Sequence, residues 1–348
     1  MRIGYMYPKR QKVSFHIVAK KHIEQLRKRG YEVVELDIND PFVKIPVKNV
    51  IVHPIFYPLI GHPNFYAKLL RSTDKLLGFD VCDTDHLSPL AAYVASQFNC
   101  VVVPCAFCKK VYEKSGVMSK VEVLPHGVDN SFFREPRDPR DPDIRKLASK
   151  RGFKILFFLW HSGFRKGADV VAEAFARLVK ERSDVWLIVK LGGILDPFTQ
   201  YMFNIPNVVL FNKWLDTDSL IDLYDIADIV VVPSRGGGFE LNALEALARG
   251  KPTVVSDWGA FLDYCNPCFK AKRRACIDLF VGDKIAKTIH DGKGVDPDPR
   301  ALYNILKYVI DNYEEAKRKF EKYKQTVRRL YNWDRIGVLL DKIVKNTF

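Results

Sequence analysis

The residues best suited to chemistry fall in two loops of the second half of the chain. The first runs Pro233-Ser-Arg-Gly-Gly-Gly-Phe-Glu-Leu-Asn-Ala-Leu-Glu-Ala-Leu-Ala-Arg-Gly-Lys-Pro252. It reads as the end of a buried strand (229–233), a turn of three glycines (Gly236, Gly237, Gly238) and a helix opening near Phe239. Consecutive glycines let a backbone come close to a ligand, and a helix start offers unpaired N–H groups to an anion. Phe239, Leu241 and Asn242 belong to that opening turn. Glu240 and Glu245 are five apart, so one helix turn cannot hold both on one side and they should serve different parts of a ligand. The second loop, Trp160-His-Ser-Gly-Phe-Arg-Lys-Gly167, follows an apolar strand pattern and brings His161, Arg165 and Lys166 to another helix start. An Arg fork and a Lys point charge suit a diphosphate. An ordinary strand–turn–helix corner and a solvated basic loop would use the same residues. Finding the two loops together is what favours an anion site.

Elements on either side must aim these loops. In the first half, apolar runs at 3–7, 31–36, 50–52, 81–84, 101–103 and 121–124 read as strands, with helical periodicity at 13–29 and 87–98. The stretch 134–143 holds three prolines among charges and reads as a linker. Beyond it the alternation resumes. Strands are expected at 154–159, 185–189, 208–211, 229–233 and 253–256, and helices at 168–181 and 219–227. From 300 to 344 the chain reads as helical, with a break near Tyr331-Asn-Trp-Asp334. Strands alternating with helices imply parallel sheets, hence α/β architecture with two doubly wound, Rossmann-like domains facing across a cleft. Ligands of such pairs sit at the carboxyl ends of the strands.

Bulk properties narrow the classes. A chain of 348 residues with 47% hydrophobic and 12% aromatic content is globular and long enough for two cores. No run of about 18 apolar residues appears, and Met1-Arg-Ile-Gly-Tyr opens a strand, so a cytoplasmic location is expected. The net charge of +14 is carried by the ends: residues 1–75 hold 14 Lys/Arg against 6 Asp/Glu, and residues 300–348 hold 12 against 6. Such ends suit an acidic partner, and a peripheral contact with an anionic membrane surface is one form of it. Nucleic acid is disfavoured by the neutral middle and the lack of an aromatic-rich basic groove. Seven cysteines include the pairs Cys105/Cys108 and Cys265/Cys268. A local disulfide at 265/268 and a shared four-thiolate zinc site are both open readings.

The second half resembles the donor lobe of GT-B glycosyltransferases, specifically the family 4 retaining nucleotide-sugar glycosyltransferases. The matching elements are Leu124-Pro-His-Gly-Val-Asp129, Phe164-Arg-Lys-Gly167, Leu220-Ile-Asp-Leu-Tyr-Asp-Ile-Ala-Asp228, Pro233-Ser, Gly238-Phe, Leu244-Glu-Ala-Leu-Ala-Arg-Gly-Lys-Pro252 and Tyr331-Asn-Trp-Asp334. The resemblance implies an acceptor lobe over 1–145, joined by the C-terminal helix (about 328–348), and a donor lobe over 152–327. It implies transfer of a sugar from a UDP- or GDP-sugar to an acceptor hydroxyl, with no metal and no cofactor beyond the donor itself. Glu245 matches the Glu that holds the ribose hydroxyls, and Lys166 the diphosphate Lys. Two departures stand out. Gly237 occupies the place of the Glu that contacts the donor sugar, and Glu240 stands where a Gly is usual. His161 occupies the place of the diphosphate Arg, with Arg165 as a substitute.

The first half matches less well. Where a Gly-Gly loop usually follows the first strand, Tyr7-Pro-Lys-Arg-Gln-Lys12 offers Lys9, Arg10 and Lys12 on the acceptor side. Within Asp80-Val-Cys-Asp-Thr-Asp-His-Leu-Ser-Pro89, the family's active-site His falls in register on Asp85, beside His86. The catalytic set expected is therefore Glu240, His86 and Asp85. The expected partners are a nucleotide-sugar and a glycan or lipid-linked acceptor. The alternatives are a DNA- or protein-modifying glucosyltransferase and a non-catalytic sugar-nucleotide binding protein.

Overall fold

The structure, a computed structural model, describes the whole chain except residues 12, 160, 161 and 193–196, and the backbone alone at 197–199. Two six-stranded sheets dominate it, and every pairing within them is parallel. The first contains β1 (Arg2–Tyr7), β2 (Glu32–Asp37), β3 (Asn49–Val52), β4 (Lys75–Phe79), β5 (Cys100–Val103) and β6 (Lys120–Val123), in the order β2-β1-β3-β4-β5-β6. The second contains β7 (Phe153–Leu159), β8 (Val185–Leu191), β9 (Val208–Asn212), β10 (Ile229–Val232), β11 (Thr253–Ser256) and β12 (Phe269–Ala271), in the order β12-β11-β10-β7-β8-β9. Central strands such as Ile229-Val-Val-Val232 are buried throughout because helices cover both faces. β-branched residues fit that doubly covered position.

Each sheet reverses its winding beside its first strand, and the loops leaving the two strands at that point diverge to open a crevice. In the second sheet the reversal lies between β7 and β10, whose register pairs Phe157 with Val231. The loops after these two strands are the chemistry-bearing loops, so their adjacency follows from strand order. An antiparallel hairpin, β13 (Arg273–Asp278) and β14 (Lys293–Pro297), extends from the second lobe toward the first. The last helix, Trp333–Thr347, lies against Ser14–Lys28 of the first lobe, where Tyr31 Oη donates to Asp341 at 2.7 Å and Gln25 Nε2 to Asp334 at 3.2 Å. Among the described residues no helix is long and apolar enough to cross a membrane.

Several expectations are corrected. Residues 81–84 are loop, and the strand of that region is β4. The apolar run Leu76–Phe79 ends at buried Asp80, whose carboxylate accepts the N–H groups of Ile55, Phe56 and Val81 at 2.8–2.9 Å and so turns the chain. The linker is shorter than expected, since a helix starts at Pro142 with Asp141 as its cap. Arg134 and Arg137 anchor the linker to fully buried Asp222. The C-terminal helical region breaks at Asn312 as well as at Tyr331. Cys265 and Cys268 form a disulfide, whereas the Cys105 and Cys108 thiols donate to the Gly238 carbonyl at 3.3 and 3.5 Å.

Arg235, only 2% exposed, joins three parts of the second lobe. It donates to Asp169 at 2.6 and 2.7 Å, to Asp296 on β14 at 2.8 Å, and to the Phe164 carbonyl at 2.7 Å. Removing one partner of a buried ion pair leaves the other charge uncompensated. Arg235→Ala is expected to cost about 3 kcal/mol, the lower end of that range because Asp169 is partly exposed. Denaturant unfolding of the variant checks this. Lys at 235 should restore little, since an ammonium cannot span both carboxylates as the fork does.

Candidate active site

The crevice between the lobes is built from the loops after β7 and β10. After β7, a short helical turn, Gly163–Lys166, carries Arg165 and Lys166, and Gly167 in the left-handed conformation (φ +75°) starts the helix Ala168–Glu181. After β10, the glycine turn leads to Glu240, which caps the helix Leu241–Ala248 with φ +65°. A non-glycine residue in that region costs roughly 1–2 kcal/mol. The conformation explains why a glycine is the usual occupant.

The strained Glu240 puts its carboxylate against Lys166, whose Nζ lies 2.7 and 2.5 Å from the two oxygens. Arg165 Nη1 donates to the Gly236 carbonyl at 3.0 Å, and it lies 3.7 Å from Asp83 Oδ2 and 3.9 Å from Glu240 Oε1. Two cations and two carboxylates from both lobes thus meet in one largely buried cluster. Burial raises the Asp83 carboxyl, but Arg165, His290 and Lys166 more than offset this and hold it below the usual range. Burial lowers the Lys166 ammonium, an effect that Glu240 partly opposes.

A Cβ at Gly237 would overlap Glu240 Oε1. The space that a side chain at 237 would use is filled by the carboxylate of 240. The other two glycines have a different reason. A Cβ at Gly236 would strike the Asp83 carbonyl, and one at Gly238 would strike Val81. Their bareness lets the first lobe approach this loop. The Phe239 side chain is buried, stacked on Tyr264 with ring centroids 4.7 Å apart, so only its backbone borders the crevice. Tyr264 Oη fixes this turn by donating to the carbonyls of Phe239 and Glu240 at 2.6 and 2.9 Å.

Glu245 lies one turn further along. It accepts from Tyr224 Oη at 2.7 Å, and Tyr224 also donates to the Asn242 carbonyl at 3.2 Å. Burial pushes the Glu245 carboxyl up to about 7, against the lowering effect of the Tyr224 bond and with a small push from Asp129. Leu241 packs on the apolar core, and Asn242 Oδ1 accepts from the Ala243 amide at 3.1 Å.

The expected residues of the first lobe lie in two segments, 9–12 and 85–86. Asp85 Oδ1 accepts from the Lys293 amide at 2.7 Å while the Asp85 amide donates to the Lys293 carbonyl at 3.0 Å, so it joins the first lobe to β14. The His86 carbonyl accepts from Gly292 in the same contact. The Asp85 carboxylate is thereby engaged by β14, and Asp83 is the carboxylate of the segment that pairs with Arg165. Asp83 and Asp85 therefore face different partners and do not form a pair. Lys9 is exposed, and Arg10, with its side chain 88% exposed, lies 3.5 Å from Asp37. His161 and Lys12 lie outside the described residues. Sequence reasoning missed Asp83 and Tyr224. The Asp-x-Asp spacing was the available signal for the first, and a lone Tyr within the apolar pattern of 220–228 the only signal for the second.

Comparisons with known proteins bear on the family and the fold. The profile of glycosyl transferases group 1 matches residues 139–271. An uncharacterized protein (356) of Sulfolobus islandicus rod-shaped virus 1 is 32% identical over 337 residues, covering 92% of this chain and 91% of its own. A putative glycosyltransferase (45) of Sulfolobus islandicus filamentous virus is 24% identical over 333 residues, covering 92% and 87%. Among solved structures, Anabaena HepE in complex with UDP-glucose superposes with a TM-score of 0.72 at 13% identity, over 99% of this chain and 100% of that one. Sucrose-phosphate synthase from Thermosynechococcus elongatus superposes with a TM-score of 0.71 at 16% identity, over 99% and 98%.

Proposed function

The chain belongs to the group 1 glycosyltransferases of the GT-B fold, and we propose that it moves a sugar, with retention, from a nucleoside diphosphate to an acceptor hydroxyl. The observation that carries this reading is the clustering of Lys166, Arg165 and Glu240 at the carboxyl ends of β7 and β10. Glu245 would take the ribose hydroxyls, as an ionised carboxylate can accept from both. Lys166 and Arg165 would bind the diphosphate. As the bond from the anomeric carbon to the phosphate oxygen breaks, charge grows on the leaving group. Fixed cations and backbone dipoles in a crevice poor in water stabilise that charge without reorganising. The acceptor oxygen forms the new bond to the anomeric carbon on the face the phosphate leaves, and its proton passes to the departing phosphate oxygen. Glu240 would contact the donor sugar in place of a Glu at 237. Metal independence rests on Lys166 and Arg165 doing the work of a divalent ion.

The basic excess of residues 1–75 lies on the first lobe and supports contact with an anionic membrane surface, and so a lipid-linked acceptor. Most of the basic C-terminal end lies instead on the helices Pro299–Asp311 and Tyr313–Leu330, which pack on the second lobe, and the last helix brings Arg335, Lys342 and Lys345 to the first. Part of that charge is already paired, as in Lys28–Asp334 and Lys21–Asp129. A thermal-shift panel of UDP, GDP, ADP and their sugars tests the donor site, with UDP-glucose the first choice because the Anabaena neighbour was solved with it. One of these nucleotides is expected to raise the melting temperature by a few degrees, as any ligand specific for the native state does. A flat response to the whole panel would sink the donor-site assignment.

A further inference from the structure

A cavity of about 580 Å³ opens beside the cation cluster, and its chemistry differs from that of the cluster. Its walls come from the loops after β1, β2 and β3 of the first lobe and from the first turns of the helices Ser14–Lys28 and Phe56–Gly61, and Arg165, Lys166 and Trp214 close it from the second. The apolar lining includes Val13, Phe15, Ile17, Ile38, Tyr57 and Trp214. Three of these are well exposed for their size: Ile17 at 48%, Tyr57 at 44% and Trp214 at 54%. Large apolar groups gathered at the mouth of a cavity mark a place where something apolar binds. Gln11, Ser14 and Asn39 supply the neutral polar lining, and among the described lining residues there is no carboxylate. A bare sugar exposes a hydroxyl at nearly every carbon and needs a matching set of hydrogen-bond partners, since each one left unpaired on burial is costly. Branched aliphatic residues such as Val13, Ile17 and Ile38 offer none.

We infer that this cavity is the acceptor subsite and that the acceptor is an alcohol carried on an apolar body, either an aromatic ring system or an aliphatic chain. The inference rests on the glycosyltransferase reading above, because Lys166 and Arg165 form both one wall of the cavity and the proposed diphosphate site. An apolar body seated among Val13, Ile17, Tyr57 and Trp214 would leave its hydroxyl at the cationic end, where the anomeric carbon has to lie. The volume suits a body of drug-like size. A longer chain would extend through the open mouth past Ile17.

Isothermal titration calorimetry of the full chain with 2-naphthol, 1-decanol and maltose tests the inference. At least one of the two alcohols is expected to bind saturably below about 1 mM, and which of them does so separates an aromatic from an aliphatic acceptor. Ile17→Asp should weaken that binding at least tenfold. Ile17→Trp, which fills the space without adding charge, should weaken it similarly. Ile17 is half exposed near the start of its helix, where an acidic residue is tolerated, so both variants should keep the wild-type melting temperature and nucleotide shift. Maltose binding without alcohol binding would overturn the inference, as would an Ile17→Asp variant with unchanged alcohol affinity. A chain that binds the alcohols but no nucleotide would remove the donor site instead and leave the apolar cavity standing.

Discussion

Replacing Glu240 with alanine is expected to tighten nucleoside diphosphate binding a few-fold while slowing sugar transfer by roughly 100-fold or more. The two effects separate because Glu240 has two partners at different stages. Its carboxylate pairs with Lys166, at 2.7 and 2.5 Å, so a diphosphate must compete for that ammonium. Alanine removes the competitor. With a sugar bound, the same carboxylate would be the acidic group within reach of its hydroxyls, and alanine removes that contact too. Activity lost together with tighter product binding is a signature that simple misfolding does not give. Isothermal titration with UDP and GDP, beside steady-state transfer, reads both halves. The exchange between positions 237 and 240 provides a second check. Gly237→Glu alone would collide with the Glu240 carboxylate, so it should impair transfer. Combined with Glu240→Gly it should recover much of the activity, because glycine also relaxes the left-handed backbone at 240. Unchanged transfer in Glu240→Ala would exclude the carboxylate from the sugar site.

The layout of the two sheets was legible because apolar runs of β-branched residues alternating with helical periods admit few topologies. β7, β10 and β11 were located within a residue of their ends on that basis. What escaped were elements without a period of their own. The hairpin β13–β14 reads Arg-Arg-Ala-Cys-Ile-Asp on one strand, mostly exposed, so no apolar alternation marks it. It is this unseen hairpin that engages the Asp85 carboxylate and the His86 carbonyl. Residue types and spacing singled out Lys166, Arg165 and Glu240, which meet because they sit in the loops after β7 and β10, and Glu245, which follows in the helix Leu241–Ala248. The pairing of Lys166 with Glu240, and the reason Gly237 has no side chain, depend on the left-handed backbone at 240. No single-residue pattern encodes that conformation. Likewise the glycines at 236 and 238 read as room for a ligand, and the structure shows that the first lobe takes that room.

Nucleotide-sugar affinity is expected to rise with pH between about 6 and 8 and then level off, with Glu245 as the titrating group. Burial pushes its carboxyl up to about 7, only partly countered by Tyr224, so near neutrality the ligand-free protein holds it half protonated. A ribose diol offers two donors, and the ionised carboxylate accepts both, whereas the protonated form must spend one oxygen as a donor. Binding should therefore draw the proton off, and the dissociation constant should worsen by up to tenfold per pH unit below 7. UDP-glucose or GDP-mannose is the better probe than UDP or GDP, because a diphosphate esterified at both ends has no ionisation near 7. Glu245→Gln should bind at the level of the wild type in acid and give a flat profile, and Glu245→Ala should bind roughly 10- to 100-fold more weakly than the wild type at pH 8. Stability carries the opposite sign. A carboxyl raised by folding favours the native state below its unfolded value of 4.5, and that contribution is lost as pH rises through about 7. Asp80, also raised to about 7 by burial, adds to this trend. Buried His22 and His126, lowered to about 3 and about 4, oppose it by favouring the unfolded chain as pH falls below 6.5. The net melting curve mixes these groups, so the difference between wild type and Glu245→Gln isolates the one at issue. A wild-type binding profile as flat as that of Glu245→Gln would remove Glu245 from the ribose.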